Sequence, residues 1–227
     1  MTVPAALPAA LARARHDIES CHRCPRLVSW RTRTAGPDGW ARPVAGFGDP
    51  AAQVFLLGLA TAATGGNRVG RAFTGNPSAT FLVAGLHRTG FANQSRSEHL
   101  GDGLVLHGAW MASAVRCPPP GNRPTAGERD ACGDHLLAEW RALPRLRVVV
   151  AMGGLAWTAA LRCAGVRGAP RFAHGASTPL AGGMTLLGCY HPSPQNTRTG
   201  LLTPAMLDDC LLRAGALAAG PDDLERR

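Results

Sequence analysis

A three-layer α/β sandwich on a central, mainly parallel, four-stranded sheet flanked by helices is the architecture that the 227-residue sequence predicts. Three observations predict it. Four short apolar runs end at or near Gly, Pro or Cys, as strands buried on both faces do. Stretches of helical length and pattern lie between and after them, and this alternation favours parallel pairing with both faces covered. A hydrophobic fraction of 45% in a chain of this length suits a sizeable core, and 1–227 is expected to form one domain.

Residues 8–21 carry apolar positions at helical spacing and run into Cys21, which predicts a leading amphipathic helix. From Pro25 to Pro50 the chain crowds Gly, Pro, Trp and Arg together, and irregular covering structure with turns is expected there. The first strand, QVFLLGLA (53–60), is followed by a helix at PSATFLVAGLHRTG (77–90). The second, LHGAWMASAV (106–115), precedes a helix at 125–143, and the third, LRVVVAMGG (146–154), precedes one at 155–165. After the fourth, MTLLGCY (184–190), comes a last helix at 203–220, for which Thr203 and Pro204 supply the cap and the first helical position. In such a sheet the informative loops lie at the carboxyl ends of the strands. Here they are 58–76, 117–125, 153–157 and 191–200, and they should converge on one crevice.

Basic residues number 24 against 15 acidic, a net charge of +9, and every basic residue is Arg. The guanidinium fork matches phosphate oxygens bidentately, so this composition suits a nucleic-acid surface, although a GC-rich genome produces the same bias. No run of about 18 apolar residues is present, and the N-terminal stretch lacks a signal-peptide layout, so neither a membrane span nor secretion is expected. A cytosolic protein follows. Seven Cys in a chain this large point to metal-binding or buried thiols rather than a disulfide framework.

Cys21 and Cys24 form CHRC, a spacing that lets both sulfurs point at one centre, and Cys117 and Cys132 lie beside loop or helix-start signals that could bring them to it. Spacing alone suits structural zinc and an iron-sulfur cluster equally, with buried unliganded thiols as the bland alternative. Cys163, Cys189 and Cys210 sit inside apolar patterns and are expected to be plain buried thiols. The loop after the first strand holds Gly58, Gly65, Gly66, Gly70 and Gly75 with Arg68 and Arg71 among them, which allows close backbone approach to a ligand. It is neither a P-loop nor a dinucleotide fingerprint. Phe73, in this polar loop, could stack on a base or anchor the loop in the core. His191 directly follows a buried strand and is stiffened by Pro192 and Pro194, so its imidazole can donate to an oxygen that gains negative charge. Ser193, Gln195, Asn196 and Thr197 add donors suited to phosphates or a base. Arg68, Arg71, Arg123 and Arg198 either contact phosphate or face solvent.

Taken in order, CHRCPRLVSWR (21–31), WARPVAGFGDP (40–50), GLATAATGGNRVGRAFTGN (58–76), AVRCPPPGNRPT (114–125) and YHPSPQNTRTG (190–200) resemble the family 5, or type B, uracil-DNA glycosylases, relatives of the iron-sulfur family 4 group. The resemblance implies an α/β sandwich, a structural 4Fe-4S cluster on Cys21, Cys24, Cys117 and Cys132, and removal of deaminated bases from double-stranded DNA by a monomer. It implies that Gly58, Ala60, Phe73, Ser113 and His191 lie against the extruded base, with Phe73 stacking and His191 bonding the leaving-base oxygen. The 191–200 loop, with Ser193, Gln195, Asn196 and Arg198, would press into the duplex, joined by Arg68 and Arg71.

Three departures from the family pattern bear on chemistry. Asn76 stands where type B enzymes usually carry the Asp of FTGD, a position given a water-activating or water-orienting role, and Asn cannot act as a general base. Asn122, in GNRPT, is then the remaining polar candidate to position water or base. Ser113 occupies the place of the family 4 base-reading amide, which predicts a tolerant pocket that accepts hypoxanthine and xanthine as well as uracil. Thr61 replaces a family 5 Pro. Without Lys, a Schiff-base lyase step has only the α-amino group to use, so a monofunctional glycosylase is expected. Two other classes remain open at this stage: a lesion- or abasic-site binding protein with weak catalysis, motivated by Asn76, and a zinc-bound nucleic-acid module.

Overall fold

The computed structural model describes residues 7–168 and 170–224, so 1–6, Ala169 and 225–227 of the one-domain expectation lie outside the described residues. One sheet contains β1 (Phe47–Gly48), β2 (Val54–Ala60), β3 (Ala109–Val115), β4 (Val148–Met152), β5 (Ser177–Pro179) and β6 (Thr185–Cys189), in the order β1-β3-β2-β4-β6-β5. The central β3, β2, β4 and β6 are the four expected strands and pair in parallel. The sheet has six strands rather than four because β1 and β5 add antiparallel edges. Those edges are two and three residues long, too short to leave a period-2 signature.

The helices are α1 (Ala9–Glu19), α2 (Pro25–Ala35), α3 (Gly66–Val69), α4 (Pro77–Arg88), α5 (Ala126–Arg141), α6 (Gly154–Cys163), α7 (Pro194–Arg198) and α8 (Pro204–Leu224). Thr203 caps α8 through Oγ1, which accepts the Met206 N–H at 3.2 Å. α2 corrects the irregular structure expected from Pro25 onward. Pro25 sits at the first helical position, where its missing N–H costs nothing, and Leu27, Arg31 and Ala35 make a buried stripe at four-residue spacing. No helix among the described residues is long and apolar enough to cross a membrane.

Alternate side chains of each central strand feed two cores. Leu56, Met111, Val150 and Leu187 pack with α4 and α8, whereas Phe55, Leu57, Trp110, Val149 and Leu186 pack with α1, α5 and α6. Crossover handedness explains the division. A right-handed crossover lays its helix on one face when the chain steps one way along the sheet and on the other when it steps back. The step from β2 to β3 runs outward through α4; the steps from β3 to β4 and from β4 to β6 run the opposite way through α5 and α6. The direction reverses between β2 and β4, which opens a crevice at their carboxyl ends.

Candidate active site

The segments after β2, β4 and β6 wall that crevice. Gly58 of β2 is in register with Ser113 of β3, and both follow, two residues on, core positions of the α4/α8 face, Leu56 and Met111. Phe73 lies over Gly58 so closely that a Cβ there would stand 2.6 Å from Phe73 Cζ. Phe73 also adopts φ +50°, a left-handed conformation that costs a non-glycine residue about 1–3 kcal/mol. Half-buried and packed on the core, the ring is therefore both a loop anchor and a fixed aromatic platform above the strand ends.

His191 follows β6 by two positions, and a Cβ on Gly153 at the end of β4 would lie 3.5 Å from the His191 Cβ. The loop holds itself: Asn196 Nδ2 donates to the His191 carbonyl at 2.8 Å, and Ser193 Oγ accepts the Asn196 N–H at 3.4 Å as the cap of α7. Burial lowers the His191 pKa, so the imidazole is neutral at pH 7 and offers one N–H donor. His174, which sequence reasoning missed, braces the other side, its Nδ1 accepting the Tyr190 N–H at 3.2 Å while its ring stacks on Tyr190. Of the expected DNA contacts in this loop, Ser193 and Asn196 thus spend polar atoms on loop geometry, and Gln195 and Arg198 are exposed.

Asn76 caps α4: its Oδ1 accepts the Ala79 N–H at 3.0 Å. That bond fixes the amide, so Nδ2 faces Gly65, where a Cβ would stand 2.3 Å away. Asn76 shares an open groove with Phe81, Ser97, Glu98 and Thr197. Asn122 lies exposed in the 3-10 turn Pro120–Asn122 at φ +57°, and its side chain makes no hydrogen bond among the described residues. Thr61 ties β2 to β3, donating from Oγ1 to the Arg116 carbonyl at 2.9 Å.

Arg71 is a correction: its guanidinium is not free for phosphate. It is buried in a bidentate pair with Asp102 (2.6 and 3.0 Å), donates to Thr74 and Ser97, and lies over the Phe47 ring. Arg68, Arg123 and Arg198 are exposed. Burial alone would raise Asp102, yet Arg71 and the N–H groups of Glu98 and Leu104 hold it well below the usual carboxylate range. Its lowered pKa contributes stability that is present above the ordinary carboxylate pKa, about 3.9, and is lost as pH falls below it. Asp102→Asn, which leaves Arg71 buried without an anion, is expected to cost about 3–5 kcal/mol in urea unfolding at pH 7.

The four cysteines of the expected metal site come from separate segments. Cys21 and Cys24 lie at and before the start of α2, Cys117 follows β3, and Cys132 is in α5, yet all four line one small cavity. Ala60, expected against the base, is half-buried and packs beside Leu27, Val115, Cys117 and Cys132. Burial pushes the Cys117 thiol up to about 11, against the pull of Arg31, and burial likewise raises Cys24 and Cys132. Among the described residues no group of three or more His, Cys, Asp or Glu converges as a single-ion site. The donor set is all sulfur, and it suits soft, thiolate-ligated iron-sulfur chemistry, with metal binding overcoming the raised thiol pKa values. Cys163, Cys189 and Cys210 are free thiols, half-buried in the first case and buried in the other two.

The model of the uracil DNA glycosylase superfamily matches residues 45–214. The chain is 49% identical over 212 residues to the type-5 uracil-DNA glycosylase of Mycobacterium tuberculosis, covering 88% of this chain and 79% of that protein. Identity is 46% over 209 residues to the type-5 uracil-DNA glycosylase of Thermus thermophilus, covering 88% and 95% of the two chains. To that of Pyrobaculum aerophilum it is 44% over 203 residues, covering 87% and 88%.

Proposed function

The chain belongs to the uracil-DNA glycosylase superfamily, and from that premise we propose that it hydrolyses the N-glycosidic bond of uracil turned out of double-stranded DNA, leaving an abasic site. The observations that carry this reading are the fixed Phe73 platform over Gly58 near the carboxyl end of β2 and the half-buried, neutral His191 just beyond the carboxyl end of β6.

A glycosidic bond inside a duplex is out of reach until its nucleotide swings out, which costs a few kcal/mol and least at a mispair such as uracil opposite guanine. Damage thus selects itself in part. Phe73 receives the base face, and Gly58 leaves room for that ring. As the bond breaks, positive charge builds on the sugar and negative charge on the base, so a donor aimed at the base oxygen lowers the barrier. His191 is that donor, and Asn196 and His174 hold its loop. Water must meet the sugar from the Asn76 side, and Asn122 is the second polar candidate for orienting it. Ser113 offers a small hydroxyl where an amide would discriminate, so the pocket also takes hypoxanthine and xanthine. Exposed Arg68, Gln195 and Arg198 are the phosphate and duplex contacts.

Cys21, Cys24, Cys117 and Cys132 would hold a 4Fe-4S cluster, which when bound supplies a covalent brace between the α2 entry, the β3 exit and α5. The enzyme is a single-domain monomer that acts in the cytoplasm on nucleoid DNA. With no Lys in the chain, the reaction stops at the abasic site.

Incubating the protein with uracil-, hypoxanthine- and xanthine-containing duplexes and then cleaving with alkali tests the reading. Strand scission at the lesion is the expected result, and a gel shift without scission would make the protein a lesion binder. A second result is expected for Gly58→Ala. The new methyl forces the Phe73 ring aside, and an ångström of misplacement can cost about 10²-fold in single-turnover rate. Excision at the wild-type rate would remove Phe73 from the base site.

A further inference from the structure

Arg31 is 2% exposed on the buried stripe of α2. Other buried guanidiniums have carboxylates: Arg71 has Asp102, and Arg116 has Glu139 at 2.8 Å. Among the described residues Arg31 has no carboxylate within 4.0 Å. Its Nη1 donates to the Cys117 Sγ at 3.2 Å and to the Cys21 carbonyl at 3.1 Å, Nη2 lies 3.3 Å from His22 Nδ1, and Nε has no hydrogen-bond partner. It also lines the cavity shared by the four cysteines.

Taking a lone cation out of water costs several kcal/mol unless an anion accompanies it. A carbonyl and an imidazole nitrogen are only dipoles. Of its hydrogen-bond partners among the described residues, the Cys117 sulfur alone can carry negative charge, as it does when it ligates metal as a thiolate. We propose that Arg31 is the counter-charge of the sulfur centre, compensating the anionic cysteine-ligated cluster and donating an N–H bond to Cys117 Sγ, and so governs cluster retention and reduction potential. This rests on the cluster reading given above. Arg31 is a positioning residue and touches no substrate. Arg116 also lines the cavity, but its charge is already committed to Glu139, so the two arginines are not equivalent.

The test compares the wild type with Arg31→Lys, Arg31→Gln and Arg31→Met, each purified anaerobically as the full chain. Iron and sulfide per chain, the rate of bleaching of the visible absorbance under chelator, and the midpoint potential in a dithionite titration are measured. Losing a nearby cation disfavours adding an electron, so Gln and Met should shift the potential to more negative values and speed bleaching several-fold. Lys should recover most of both. Stability gives an independent reading: stripping the cluster should destabilise the wild type more than Arg31→Met, because only the former is left with an uncompensated buried charge. If Lys and Gln behave alike, or if iron-loaded Gln and Met match the wild type in potential and bleaching, the counter-charge role is overturned while the cluster stands. A wild type with neither iron nor sulfide overturns the cluster and Arg31's role together.

Discussion

His191→Ala is expected to lower the single-turnover rate of uracil release by about 10²–10³-fold, the usual cost of deleting a hydrogen-bond donor aimed at developing negative charge. Affinity for uracil-containing duplex in a gel shift should change little, because the bond strengthens only as charge reaches the base oxygen. A loss of affinity with an unchanged rate would assign His191 to DNA binding. The pH dependence adds a second check. Because burial lowers the His191 pKa, the neutral imidazole persists as pH falls through 6.5, the ordinary histidine value. The rate of the wild type should therefore show no histidine limb there and change only at lower pH. Folding stability behaves differently in the same range: the unfolded chain takes up the proton first, so this group's contribution is intact above the ordinary value and is lost as pH falls below it.

The parallel core was legible in the sequence because strands buried on both faces leave continuous apolar runs, as VVVAM at Val148–Met152 does. The edges were not, since Phe47–Gly48 and Ser177–Pro179 owe their state to a neighbouring strand and carry no pattern of their own. α2 escaped for a related reason: its buried stripe contains Arg31, and a search for apolar periodicity reads an arginine as solvent-facing. The same bias assigned Arg71 to DNA. Its partner Asp102 lies 31 residues away in a polar stretch, and only the fold joins them. His191 was legible because a short apolar strand led directly to it, whereas His174 acts through a backbone N–H across a turn, which no motif marks.

Asn76→Asp is expected to raise turnover on uracil-containing duplex by about 10²-fold near pH 7.5, the lower end of what a positioned general base supplies. The geometry of the cap is the reason. Asn76 Oδ1 already accepts the Ala79 N–H, and although a second lone pair could still hold a water, a neutral amide cannot take the proton that a water attacking the sugar must lose. In the Asp variant one carboxylate oxygen would keep the cap and the other would be free to accept. Asn and Asp cap helices about equally well, so thermal stability should hold, whereas Asn76→Ala should lose about 1 kcal/mol. An acid limb should accompany the gain, because the new carboxylate works only when ionised, and its disappearance in the wild type would tie the limb to this position. Equal rates for Asn76→Asp and wild type would place the water elsewhere and make Asn122 the residue to replace next. The pair also separates a slow enzyme from a lesion binder: a binder's pocket gains nothing from one carboxylate, while a slow glycosylase whose His191 and Phe73 are already in place gains the one group its chemistry lacks.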